Sequence, residues 1–153
     1  MKISVLSDLH FGYAYRAETE NDSFENAAEA FDKVADSDLI LIAGDIFDVR
    51  APKTEVWGKA MHVLSKIALR KNPGVKLLSC SKQMKDISKK VLEHQPVVAI
   101  HGNHDRRSRS EINAVEALEN AGYWVHLQND TIIFEKDGVK VAIHGLSSVP
   151  ERY

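Results

Sequence analysis

The chain has 153 residues, carries 20 Lys and Arg against 22 Asp and Glu, and has one cysteine. A chain of this length makes one domain with a real core, burying roughly 68–70% of the surface its unfolded form would expose. The lone Cys80 excludes an internal disulfide. With no leader-like opening and no apolar run near the roughly 18–20 residues of a membrane span, the sequence reads as a soluble, cytoplasmic protein with no membrane partner.

The small net charge hides a segregation. Residues 1–48 hold 3 basic and 11 acidic side chains, residues 49–90 hold 11 and 2, and residues 91–153 hold 6 and 9. An acidic first third suits cation binding. The basic middle third suits either a phosphate polymer or solvated helix faces.

Residues 2–7 alternate and predict a strand entering the turn at Asp8–Gly12. A loop with Tyr13, Tyr15 and Arg16 follows. Asp22 and Glu25 have capping-box spacing ahead of helical periodicity from Phe24 to Ala35. The uninterrupted apolar run Leu39–Ala43 predicts a strand covered on both faces, joined to the first by a right-handed parallel crossover. A helix over 54–70 has a wide apolar side, including Trp57, Met61 and Val63, which suits a core face or self-association. Asn72-Pro73-Gly74 is a turn, and Ser81 is placed to cap a lysine-rich helix over 82–94. A third strand, 97–101, runs into Gly102-Asn103-His104-Asp105 and then Arg106, Arg107 and Arg109. A helix over 110–121 ends at Gly122. Three short strands, 124–127, 131–134 and 139–144, then form a meander.

Three strands thus end in ligand chemistry: Asp8-Leu9-His10, Gly44-Asp45 and Asn103-His104-Asp105. Alternation along a strand would let Asp8 and His10 face one cation together. Ligands of an open parallel sheet gather beyond the carboxyl ends of its strands, where Asp45 and Asn103 also fall. Two carboxylates, an imidazole and a carboxamide suit manganese, iron or zinc. They would half-fill a pair of metals about 3.5–4 Å apart, with Asp45 as the natural bridge. His104 is placed to contact a phosphate or protonate a leaving oxygen, and Asp105 to hold its tautomer. His62, His94, His101 and His126 read as satisfied polar neighbours, whereas His144 stays open as a further ligand.

Ser7-Asp8-Leu9-His10-Phe11-Gly12, Ile42-Ala43-Gly44-Asp45-Ile46-Phe47-Asp48 and Gly102-Asn103-His104-Asp105-Arg106 resemble the first three motifs of the calcineurin-like metallophosphoesterases. Within that superfamily they are most similar to the SbcD or Mre-eleven nucleases of double-strand-break repair. The resemblance implies an α/β fold with a layered β core flanked by helices. It implies two divalent ions, manganese first among them, and exonuclease and endonuclease cleavage of DNA. It further implies an SMC-like ATPase partner of the Rad-fifty or SbcC type, and a homodimer through a bundle that by position would use helices 54–70 and 110–121. Asp8, His10, Asp45 and Asn103 match the ligands, and His104 the histidine that contacts the scissile phosphate. Tyr13, Arg16, Arg106, Arg107 and Arg109 are candidate DNA contacts.

Two departures qualify this. Asp48 stands where many archaeal relatives carry histidine, and the family's later histidine ligands, including a Gly-His-x-His pair, are absent. Residues 1–153 are therefore expected to be the N-terminal part of a nuclease domain, without the later motifs or capping domain, binding a second metal poorly and weak or inactive alone. The alternatives are a small-molecule phosphodiesterase or phosphatase of the same superfamily, and a non-catalytic scaffold on that fold.

Overall fold

A computed structural model of the chain describes residues 1–83, 87–106 and 111–148. In chain order its elements are β1 (Ile3–Leu6), α1 (Asp22–Lys33), β2 (Leu39–Ala43), α2 (Thr54–Ala68), β3 (Lys76–Cys80), α3 (Lys89–Glu93), β4 (Val97–Ile100), α4 (Ala114–Asn120), β5 (Val125–His126), β6 (Asn129–Lys136) and β7 (Val139–Leu146). They make two sheets, one ordered β1-β2-β4-β5 with every pair parallel, the other β3-β6-β7 and antiparallel.

Strand alternation sorts the core into two layers. Ile40, Ile42, Val97 and Ala99 pack toward the helices with Phe24, Phe31, Leu64, Ile67, Leu118 and Trp124. Leu39, Val98 and Val125 pack with Ile132 and Phe134 of the second sheet. The apolar runs of β2 and β4 are explained by this double coverage. Among the described residues, no helix is long and apolar enough to cross a membrane.

Part of the segregated charge is paired in space. Lys59 pairs with Glu20 at 3.0 Å and Lys66 with Asp32 at 3.4 Å, joining basic α2 to α1 and the acidic loop before it. Arg70 lies 3.8 Å from Asp32 and donates to the Phe31 carbonyl. Lys59, Lys66 and Arg70 of the basic middle third are therefore helix-pairing charge.

Several expectations change. Residues 76–80 form a strand that pairs with β6 about a register shift between Leu77 and Ser79. Among the described residues of 82–94, helix spans Lys89–Glu93, and Lys85 lies outside the described residues. Ser81 caps nothing. Its hydroxyl donates to Asp130 and accepts from the Thr131 amide. No capping box forms at α1, whose N-cap Asn21 makes no side-chain bond to the helix amides and accepts from Lys59 instead. The meander is divided, because β5 joins the parallel sheet while β6 and β7 form a hairpin in the other. On α2, Val63 is core and Trp57 packs on Phe47 with ring centroids 4.9 Å apart, so Met61 and Leu69 remain as the exposed large apolar side chains at that end.

Candidate metal centre

The site is three loops fastened side by side beyond β1, β2 and β4. The amides of Asp8, His10 and Phe11 donate to the carbonyls of Gly44, Asp45 and Ile46 at 3.2, 3.0 and 2.9 Å, and the Asp48 amide donates back to Phe11. The third loop is latched by Asp105, wholly buried, whose carboxylate accepts from the amides of Ile46, Phe47 and Gly102. Burial pushes the Asp105 carboxyl above the ordinary range against the pull of these three donors.

Asp8, His10 and Asp45 all stand in the left-handed region, at φ 57, 43 and 49. Non-glycine residues held there store strain, which collects at functional sites. Asp8 and His10 are therefore not brought together by strand alternation, since β1 ends at Leu6. The loop curls instead, and His10 Nε2 lies 3.8 Å from Asp8 Oδ1. Gly44 takes φ 92, and a Cβ on Gly102 would strike the Asp45 carboxylate and amide, so both glycines are needed for the close approach of the second and third loops.

Candidate ligand atoms of Asp8, His10 and Asp45 lie within 4.8 Å of one another, and so do those of His10, Asp48 and His104. Asp45 Oδ1 also accepts the His104 amide at 3.1 Å. The hard-to-borderline donor set fits a divalent cation. Asn103 is exposed at the turn before His104.

His104 Nδ1 meets the main-chain carbonyl of Asp48 at 2.8 Å. A carbonyl only accepts, so Nδ1 carries the proton and Nε2 is left for chemistry. Asp105 was expected to orient His104, but its oxygens are engaged with backbone amides and Asp48 does that work. The Asp48 carbonyl bond, followed by the nearby charges of Asp45, Asp48 and Asp105, raises the His104 pKa.

A cleft of about 740 Å³ opens beside these groups, bounded by Asp8, His10, His104, Tyr13 and the α1 residues Ser23 and Asn26. Tyr13 is exposed there. Arg16 lies over the Tyr15 ring at 5.3 Å and its amide bonds Glu20. Arg106 is half-buried. Arg107 and Arg109 lie outside the described residues. His144 joins neither ligand group; its Nδ1 bonds Thr131 Oγ1 at 2.9 Å. Asp48 was passed over in the sequence as a ligand or positioning residue, although a carboxylate three residues after Asp45 was a usable signal.

The sequence pattern of the family described as Calcineurin-like phosphoesterase matches residues 1–151. The chain belongs to that family. Among similar proteins are the DNA double-strand break repair protein Mre11 of Methanopyrus kandleri, 29% identical over 99% of this chain and 31% of its own length, and human double-strand break repair protein MRE11, 27% identical over 98% and 24%. The corresponding Caenorhabditis elegans protein is 26% identical over 97% and 23%. This calcineurin-like chain thus spans about a quarter to a third of those relatives. By its description that family is one of phosphoesterases.

Proposed function

We propose that these residues are the N-terminal part of a two-metal DNA phosphodiesterase domain acting as exonuclease and endonuclease in double-strand-break repair. The observation that carries this reading is the convergence of Asp8, His10 and Asp45, in strained backbone, at the ends of adjacent parallel strands. Similarity to double-strand break repair proteins along nearly the whole chain supports the substrate class.

Asp8, His10, Asp45 and Asn103 would hold the metals, Mn2+ by preference. Bound divalent ions supply Lewis-acid charge to the phosphoryl oxygens and activate the attacking water. His104, with Nδ1 committed to Asp48, presents Nε2 to the phosphate, where its protonated form would stabilise developing negative charge or protonate the leaving oxygen. Asp105 keeps the loops in register. Tyr13, Arg16, Arg106, Arg107 and Arg109 would contact DNA. An SMC-like ATPase of the Rad-fifty type and a second copy, docked through helices 54–70 and 110–121, would complete the assembly in the cytoplasm. Residue 110 lies outside the described residues.

One observation favours a small-molecule phosphodiester instead: no Lys or Arg is among the described residues that line the cleft. Mn2+ titration followed by paired assays on labelled DNA and bis-p-nitrophenyl phosphate decides. Mn2+ binding is expected, with DNA cleavage by the chain extended downstream and little or none by residues 1–153 alone. Turnover of the small ester with DNA left intact would favour the second reading, and a folded chain that binds no divalent ion would favour a non-catalytic scaffold.

A further inference from the structure

Asp48 has two acceptors and two imidazoles beside it. Its carbonyl holds His104, as above. Its carboxylate Oδ1 lies 3.3 Å from His10 Nδ1. That nitrogen is buried and makes no well-angled hydrogen bond. The opposite nitrogen of the same ring, Nε2, is the one turned toward Asp8. The two rings meet edge to face, centroids 4.9 Å apart.

A neutral imidazole has one lone pair and one N–H. If Nε2 faces a metal, Nδ1 must carry the proton, and a buried N–H without an acceptor is costly. Asp48 is the carboxylate at hand, and its main chain is pinned on both sides of the side chain, by the amide bond to Phe11 and the carbonyl bond to His104. A small turn of the His10 ring completes the bond. Carboxylates behind ligating histidines fix their tautomer and raise their basicity.

We propose that Asp48 is a positioning residue for the metal centre, its carboxylate holding His10 as the Nδ1–H tautomer so that Nε2 faces the cation, while its carbonyl independently holds His104. The inference rests on the reading of His10 as a metal ligand.

Its test is ¹⁵N NMR of histidine-labelled protein, metal-free and with Zn2+ as a diamagnetic probe, in wild type, Asp48→Ala and Asp48→Asn. In the wild type, His10 is expected as the Nδ1–H form, with Zn2+ perturbing Nε2. Asp48→Ala should move His10 toward the Nε2–H form and weaken Zn2+ binding about 10–100-fold. Asp48→Asn keeps an acceptor oxygen and should recover most of both. His104 should stay Nδ1–H in all three, because its partner is main chain.

An unchanged His10 tautomer in Asp48→Ala would overturn the proposal, as would Zn2+ perturbing Nδ1 of His10. So would His104 shifting together with His10, which would mean that the loop had merely collapsed. Failure of wild type to bind any divalent ion would sink the metal-centre reading, while the metal-free tautomers would still report on Asp48.

Discussion

Two clusters of titratable side chains meet at the carboxyl end of the parallel sheet, and they are built on opposite rules. In the first, Lys82 Nζ lies 2.7 and 2.8 Å from the Glu119 oxygens and 2.9 Å from the His126 carbonyl. Glu119 also takes the His126 amide, and His126 Nε2 meets His101 Nδ1 at 3.0 Å. Glu119, His126 and His101 are all buried. In the second, the Asp8 side chain is 64% exposed, His10 Nδ1 lacks a formed bond, and Asp8, His10 and Asp45 are held in left-handed backbone. Closed bonding around buried charge is how a fold anchors a short strand such as β5. Strain and unused acceptors are what a site keeps for a ligand.

The closed cluster depends most on Glu119. Glu119→Ala leaves a mostly buried Lys82 without its carboxylate and the His126 amide without an acceptor. Loss of one partner from a buried pair costs about 3–5 kcal/mol. Urea unfolding should show that loss, while Mn2+ affinity of the folded protein holds. Destabilisation below about 1 kcal/mol would mean that the pair is a surface pair in practice.

The opposite pattern is expected at Asp8. Asp8→Asn tolerates the left-handed backbone and removes the like charge facing Asp45, so the metal-free protein should be as stable as wild type or up to about 1 kcal/mol more so. Mn2+ affinity measured by calorimetry should fall by about 100-fold or more, since a ligand carboxylate is lost. A variant that binds Mn2+ as tightly as wild type would place the metal elsewhere.

The division between the two clusters was partly legible in the chain. Apolar runs ending in Asp8, Asp45 and Asn103 marked β1, β2 and β4, because a doubly covered strand has to be apolar throughout and its end has to be polar. His101 and His126 were read as satisfied polar neighbours, and they bond each other. What escaped depends on partners far away in sequence. Lys76–Cys80 becomes a strand only through β6, some fifty residues on, and its flanking lysines mimic a solvated helix. Asp105 looked like a partner for the adjacent His104, whereas its acceptors are filled by amides of the 44–48 loop. Adjacency in the chain misled where the fold supplied better donors.

The finest distinction between the clusters is pH dependence. Burial above all, with the neighbouring His101 and Lys82, lowers the His126 pKa to about 3 from an ordinary 6.5. Between those values the unfolded chain takes up a proton that the folded one refuses. The stability contributed by His126 is therefore present above pH 6.5 and is lost as pH falls toward 3. Asp105 and Glu119, both raised by burial, act in the reverse sense: their contribution is full below the ordinary carboxylate range and is lost as pH rises through their raised values. His126→Gln removes the His126 effect, leaving buried His101, whose pKa burial also lowers, to act in the same sense in both proteins. From pH 7.5 to 5.5 the wild type should lose about 1 kcal/mol more than the variant, one refused proton over about one pH unit below 6.5. Parallel stability curves over that range would mean that His126 is reached by water and protonates in place, and that the cluster is less closed than its bonding implies.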